Sequence, residues 1–241
     1  MSKKFKNQIP MIKILDTPIR KLLITFAKFI SHQNILQQAK QRDSSAQCLL
    51  GDSYLYGKGI TKDYKKAFVW YQKSALQENP YGQNSLGWMY EQGIGFTKNL
   101  AEAFTWYELA AKQEMPIAQY NVGYFYANGW GVKQNYNEAF FWYTRAAEHG
   151  HITAQYALGC LYLEGQGIEQ DYKEAFRWYL KASEQGDVQS QSLLGTLYKD
   201  GLGVTQEFNN AMYWYRKAAE QGDVTAQGNL KFMHAKGLAS T

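Results

Sequence analysis

Apolar and polar positions along this chain follow a helical rhythm that restarts every 36 residues. In the segment Ala154-Gln155-Tyr156-Ala157-Leu158-Gly159-Cys160-Leu161-Tyr162, the positions that recur in other copies are Gln155, Leu158, Gly159 and Tyr162. Their spacings of 3, 1 and 3 put them on one face of a helix. The glutamine returns as Gln47, Gln83, Gln119, Gln191 and Gln227, and the tyrosine as Tyr54, Tyr90, Tyr126 and Tyr198. This predicts a first helix, A, in every copy. A glycine stands inside it at Gly51, Gly87, Gly123, Gly159 and Gly195. Each costs about 1 kcal/mol relative to alanine, so its return implies that a second helix approaches closely.

Helix A is expected to stop at paired glycines, Gly57 and Gly59, Gly93 and Gly95, Gly129 and Gly131, Gly165 and Gly167, Gly201 and Gly203, which permit positive φ. A phosphate-cradling loop would instead follow a strand and open a helix. A second helix, B, is announced by Asn99, Asn135 and Asp171, each followed three residues later by Glu102, Glu138 or Glu174 in a reciprocal capping box. Asp63 caps the first copy without that glutamate. Trp70, Trp106, Trp142, Trp178 and Trp214 mark the body of helix B, and Gly150, Gly186 and Gly222 end it. In the first two copies the expected stop is Pro80 or Pro116, which cannot continue a helix.

A unit this small cannot bury its own apolar face, so stacked neighbours share one continuous core. The fold class expected is all-α: a right-handed α-α superhelix of antiparallel helix pairs, forming one elongated domain. Full repeats fall at about 46–81, 82–117, 118–153, 154–189 and 190–225, inside a solenoid spanning 44–241. Residues 226–241 form a half-repeat expected to close the stack, with His234 in place of the tyrosine. Residues 1–43 form a basic arm that includes a degenerate B helix near 30–43. Within that arm Ile19, Leu22, Leu23, Phe26 and Ile30 make an apolar stripe beside Arg20, Lys21 and Lys28. The stripe either caps the first repeat or lies on an anionic membrane surface, where each basic residue contributes about 1 kcal/mol.

These residues resemble the Sel-one-like (SLR) repeat family, a tetratricopeptide-like branch whose unit combines the A-Q-x-x-L-G-x-x-Y helix, the G-x-G loop and the K-A-x-x-W-Y helix. Five copies match over most of their length, covering about four-fifths of the chain. The resemblance implies the superhelix described above and adaptor or scaffold roles in protein complexes, in bacteria and eukaryotes alike. Secreted, cysteine-rich members carry a disulfide in each repeat. Here Cys48 and Cys160 occupy non-equivalent positions, so functions tied to that subgroup, penicillin binding included, do not transfer. No catalytic residue comes with the resemblance.

Charge is divided unevenly. Residues 1–42 hold nine Lys/Arg against one Asp, a net +8, and the rest carries 17 basic and 20 acidic residues, a net −3. A mildly acidic repeat body excludes a nucleic-acid groove, which needs clustered cations. The stretch Leu22 to Ile30 is interrupted by Lys28 and followed by no small-residue cleavage pattern, so no secretion signal is expected. It is also short of the roughly 20 apolar residues that span a bilayer. The expected location is the bacterial cytoplasm, with membrane association through the arm as the alternative. His32, His149, His151 and His234 share no recurring Cys, Asp or Ser partner, and the carboxylates are scattered. Neither a metal site, a cofactor nor an acid–base pair is expected.

Recurring positions hold the fold, and varying positions on an exposed face are free to recognise a partner. Relative to the repeat glycine, positions minus three, plus one and plus five share one side of helix A. In order they read Cys48, Asp52, Tyr56; Asn84, Trp88, Gln92; Tyr120, Tyr124, Asn128; Tyr156, Cys160, Glu164; and Ser192, Thr196, Asp200. The middle is aromatic and amide-rich, a mixture typical of interface hot spots. The candidate partner-binding residues are therefore Asn84, Trp88, Gln92, Tyr120, Tyr124, Asn128 and Tyr156, joined by Trp130, an odd residue in its loop expected at the surface. The competing reading is that these aromatics simply pack between neighbouring A helices. Five units about 9 Å apart would give a groove roughly 50 Å long, room for about 15 extended residues. The function expected is a non-enzymatic scaffold or adaptor that holds a protein or peptide segment. An immunity or regulatory protein masking a toxin or enzyme is the alternative, and a hydrolase-type enzyme stands below it.

Overall fold

The computed structural model describes residues 32–238. Among them there are only helices, turns and loops. The first described residues, 32–40, are helical and are called α1. The A helices are α2 (Ser44–Tyr56), α4 (Pro80–Gln92), α6 (Pro116–Asn128), α8 (Ile152–Glu164), α10 (Val188–Asp200) and α12 (Val224–Ala235). The B helices are α3 (Tyr64–Ala75), α5 (Leu100–Lys112), α7 (Tyr136–Glu148), α9 (Tyr172–Glu184) and α11 (Phe208–Glu220). The chain divides into two compact units, the first ending at Asn99 and the second beginning at Leu100. The arm's apolar stripe, Ile19 to Ile30, and its basic neighbours lie outside the described residues.

Within a repeat, A and B meet at the glycine. A Cβ on Gly159 would stand 2.6 Å from the Tyr179 ring, and Gly51, Gly123 and Gly195 are related in the same way to Tyr71, Tyr143 and Tyr215. Only a residue without a side chain lets the ring lie flat on the helix. Successive repeats are joined by the recurring glutamine. In the second unit the Nε2 groups of Gln155 and Gln191 donate to the carbonyls of Ala147 and Ser183, each 3.2 Å away, and in the first unit Gln47 does the same to Ala39 at 3.0 Å. Each of these buried amides adds a second hydrogen bond to a carbonyl in the last turn of the preceding helix, which also accepts from the N–H of Arg42, Gly150 or Gly186. A ring contact adds to the join: Phe140 meets Tyr162, and Phe176 meets Tyr198, edge to face at 5.5 and 5.3 Å.

Every full A helix ends at a left-handed glycine, with φ between 67° and 70° at Gly57, Gly93, Gly129, Gly165 and Gly201. The second glycine of the pair has a different task. A Cβ on Gly203 would sit 2.2 Å from the Tyr172 carbonyl oxygen, so this glycine lets the loop rest on the start of the preceding B helix.

Two sequence expectations are corrected. The capping box is only half made: the Asn135 and Asp171 carboxamide and carboxylate accept from the N–H groups of Glu138 and Glu174. The N–H groups of Asn135 and Asp171 themselves, however, donate to the Tyr126 and Tyr162 carbonyls, both at 2.9 Å, and not to the glutamates. The recurring tyrosine position thus supplies a backbone carbonyl that ties the end of helix A to the start of B. Pro80 and Pro116 do not stop the preceding helices. Both open the next A helix at its first turn, where a missing N–H costs nothing. The left-handed stop is made by Glu78 (φ 61°) and Glu114 (φ 63°), at the place held by Gly150, Gly186 and Gly222 in later copies.

A candidate partner-binding site on the A helices

In the second unit, α6, α7, α8 and the start of α10 enclose an open cavity of about 360 Å³. Tyr120 and Tyr124 come from α6, Tyr143 from α7, and Tyr156 and Cys160 from α8, while Asp187 closes the far side. Tyr120, Tyr124 and Tyr156 are half-buried. The Tyr120 ring lies near parallel to Tyr124 at 6.1 Å, to Tyr143 at 5.7 Å and to His151 at 4.9 Å. The aromatic centre expected from the sequence therefore exists as a hollow with ring-lined walls.

Position decides how free each candidate is. The minus-three residue leans on the cap of the next A helix: Tyr120 on His151, and Ser192 through a 3.1 Å hydrogen bond to Asp223. The plus-one residue is engaged from below by the buried tyrosine of its own repeat. The hydroxyl of Tyr71 donates to Asp52 at 2.6 Å, that of Tyr179 to Cys160 at 3.3 Å, and that of Tyr215 pairs with Thr196 at 3.0 Å. These plus-one side chains are half internal, so variation there partly reflects packing.

Of the remaining candidates, Asn128 is exposed and donates to the Tyr124 carbonyl at 2.8 Å. Trp130 is only partly at the surface. It is half-buried, with its ring edge-on to Tyr124 at 5.1 Å and to Phe125 at 5.9 Å, and so braces the cavity wall from behind. Asn84, Trp88 and Gln92 lie on α4 in the first unit, the first two half-buried and the third exposed.

Sequence reasoning missed Tyr136, Tyr143, Gln166 and Asp187, which line the same cavity. Asp187 is the cap of α10, accepting from the Ser190 N–H at 2.7 Å. The missed signal was that the cap of one repeat abuts the minus-three position of the repeat before.

The electrostatics oppose nucleophilic chemistry. Burial raises the Cys160 thiol above its ordinary range, where a nucleophile needs it lowered. Burial also raises the Tyr143 and Tyr156 phenols, and Cys160, Asp187 and Glu164 add to the shift at Tyr156. His151 is pushed down by burial, and its Nδ1 accepts from the Ala154 N–H at 3.2 Å, so it stays neutral as a helix cap. Among the described residues, no three His, Cys, Asp or Glu side chains are grouped as a metal ion would need. No helix among the described residues is long and apolar enough to cross a membrane.

The first unit carries a cavity of the opposite character, about 540 Å³, lined by Lys40, Arg42, Lys73 and Trp70. The Lys73 ammonium lies 4.2 Å from the Trp70 ring centre.

The family model for the Sel1 repeat matches five consecutive times, at 44–79, 80–115, 116–151, 152–187 and 188–223. This chain belongs to the Sel1 repeat family. Sel1 repeat proteins generally mediate protein–protein interactions. Among solved structures, the chain resembles a protective antigen with an SLR fold from uropathogenic Escherichia coli at 36% identity and a TM-score of 0.83, covering 86% of this chain and 44% of that one. It thus spans less than half the length of that relative. It also resembles a Sel1 repeat protein from Oxalobacter formigenes at 34% identity and a TM-score of 0.80, covering 90% of this chain and 86% of that one. An immunity protein from Pseudomonas aeruginosa, at 20% identity and a TM-score of 0.51 over 81% of this chain and 74% of its own, shares the fold alone. Comparison with curated proteins found no match.

Proposed function

We propose that this Sel1 repeat protein is a non-enzymatic adaptor whose second unit grips a segment of a partner protein, with Tyr120, Tyr124 and Tyr156 as the anchor residues. The observation that carries this reading is the open, ring-lined cavity of about 360 Å³, built at the positions that vary between copies. Tyrosine presents a large amphipathic surface at low entropic cost, and half-buried rings around a hollow are where a partner side chain gains most on desolvation. The raised Cys160 thiol and the neutral, capping His151 favour binding over catalysis. Trp88, Asn84 and Gln92 offer the first unit a separate contact patch.

The test compares capture of interacting proteins from the native cell by the intact chain and by a Tyr120→Ala/Tyr156→Ala variant that retains its helical circular dichroism. Loss of one specific captured protein supports the site. Equal capture by both rejects it. A toxin or other enzyme as the lost protein, silenced on binding, would make the adaptor an immunity or regulatory protein.

A further inference from the structure

Resting on that reading, we infer that the tyrosine cavity of the second unit takes an arginine side chain of the bound segment, its guanidinium lying against the phenol rings and paired with Asp187. Three features of the lining converge on a cation. The walls are built of phenol rings, Tyr120, Tyr124 and Tyr156 among them, whose π-systems attract cations. The one charged side chain in the lining is a carboxylate, Asp187, and no lysine or arginine lines the space. Its Oδ1 is held by the Ser190 N–H, which fixes the carboxylate at the cavity's edge.

The surroundings leave that charge uncompensated by a neighbouring cation. Arg145 of α7 is turned toward Glu114, 3.4 Å away, and over the Phe141 ring. His151, stacked on Tyr120, is kept neutral by burial. The carboxylates of Asp187 and Glu164 both act on Tyr156 in the sense that disfavours another negative charge, so an anionic guest would be repelled where a cationic one is attracted. Arginine fits better than lysine because a planar, weakly hydrated guanidinium can lie along a phenol ring and meet the Asp187 carboxylate with its edge. The basic cavity of the first unit, with Lys40, Arg42 and Lys73, offers such a guest nothing.

The experiment titrates the full chain with blocked tripeptides, acetyl-Ser-Arg-Ser-amide and the same peptide carrying citrulline, a neutral isostere, and follows tyrosine ring and backbone resonances by NMR at millimolar concentrations. The arginine peptide should shift Tyr120, Tyr124 and Tyr156 and bind roughly fivefold or more tightly than the citrulline peptide. Asp187→Asn, which keeps the helix cap because asparagine caps equally well, should erase most of that difference. Equal binding of the two peptides, an unchanged preference in Asp187→Asn, shifts confined to the first unit, or no shifts at all would each overturn the arginine assignment. If the Tyr120→Ala/Tyr156→Ala variant still loses its partner while arginine and citrulline bind alike, the site stands and only its charge preference falls. A lysine peptide that outcompetes arginine would overturn the planar-stacking argument.

Discussion

Gln185, just past the end of α9, donates from Nε2 to the Oε1 of Gln155 on α8 of the same repeat, 2.8 Å away. Gln77 with Gln47 at 2.7 Å, and Gln221 with Gln191 at 2.9 Å, repeat the link. Each inner glutamine spends its own Nε2 on the end of the preceding B helix, so both ends of one buried amide are used and two helix joins become one chain of hydrogen bonds. The ladder lacks a rung in the middle. The position equivalent to Gln185 holds His149, and Gln119 Oε1 is buried without a hydrogen-bond partner.

Replacing His149 by Gln should restore that rung and raise stability by about 1 kcal/mol. Gln185→Ala should cost about 1–3 kcal/mol, because it strands a buried carbonyl oxygen. Urea denaturation of the full chain checks both, and a His149→Gln midpoint at or below that of the parent would contradict the ladder.

The helix-A glycine should be intolerant in one place and replaceable in another. Gly159→Ala puts a Cβ 2.6 Å from the Tyr179 ring and should lose about 1–3 kcal/mol through overpacking. Gly228, inside α12, has nothing within 4 Å of a built Cβ. Gly228→Ala should therefore gain up to about 1 kcal/mol from helix propensity alone. Opposite signs in thermal melts of the two variants are the expected result.

His151 makes stability fall with acid. Burial lowers its folded pKa below the ordinary 6.5, so the unfolded chain takes up the proton first. Stability is fully present above about pH 6.5 and is lost as pH falls from there toward the lowered folded value. Protonation also removes the Nδ1 acceptor that caps α8. His151→Asn keeps a cap without the titration, and its denaturation midpoint should change less between pH 7.5 and pH 5.5 than that of the parent chain, the pH window that brackets histidine titration.

The helices, their glycine stops and the A–B contact were legible because they repeat, and repetition separates packing from accident. Gly159 had to face something close, and that is Tyr179. Boundaries set by single residues were not legible. Glu78 and Glu114 adopt the left-handed φ of the B-to-A turn, where later copies place glycine, and nothing in a lone glutamate signals it, while the proline two residues later opens the next helix. At the candidate site Tyr120, Tyr124 and Tyr156 were found by varying position on one helix face. Asp187 and Tyr143 were not, since one recurs as a cap and the other as core, and nothing local shows that a cap and a core ring meet at the wall of a hollow. Trp130 looked like an exposed loop residue, although a tryptophan next to a helix end has Tyr124 and Phe125 within reach to pack against.

The most direct test of the account is backbone hydrogen exchange on the full chain, with and without the protein lost on Tyr120→Ala/Tyr156→Ala substitution. Binding should slow exchange in α6, α8 and the first turn of α10, around Tyr120, Tyr156 and Asp187. Protection confined to the B helices α7 and α9, with α6 and α8 unchanged, would contradict it.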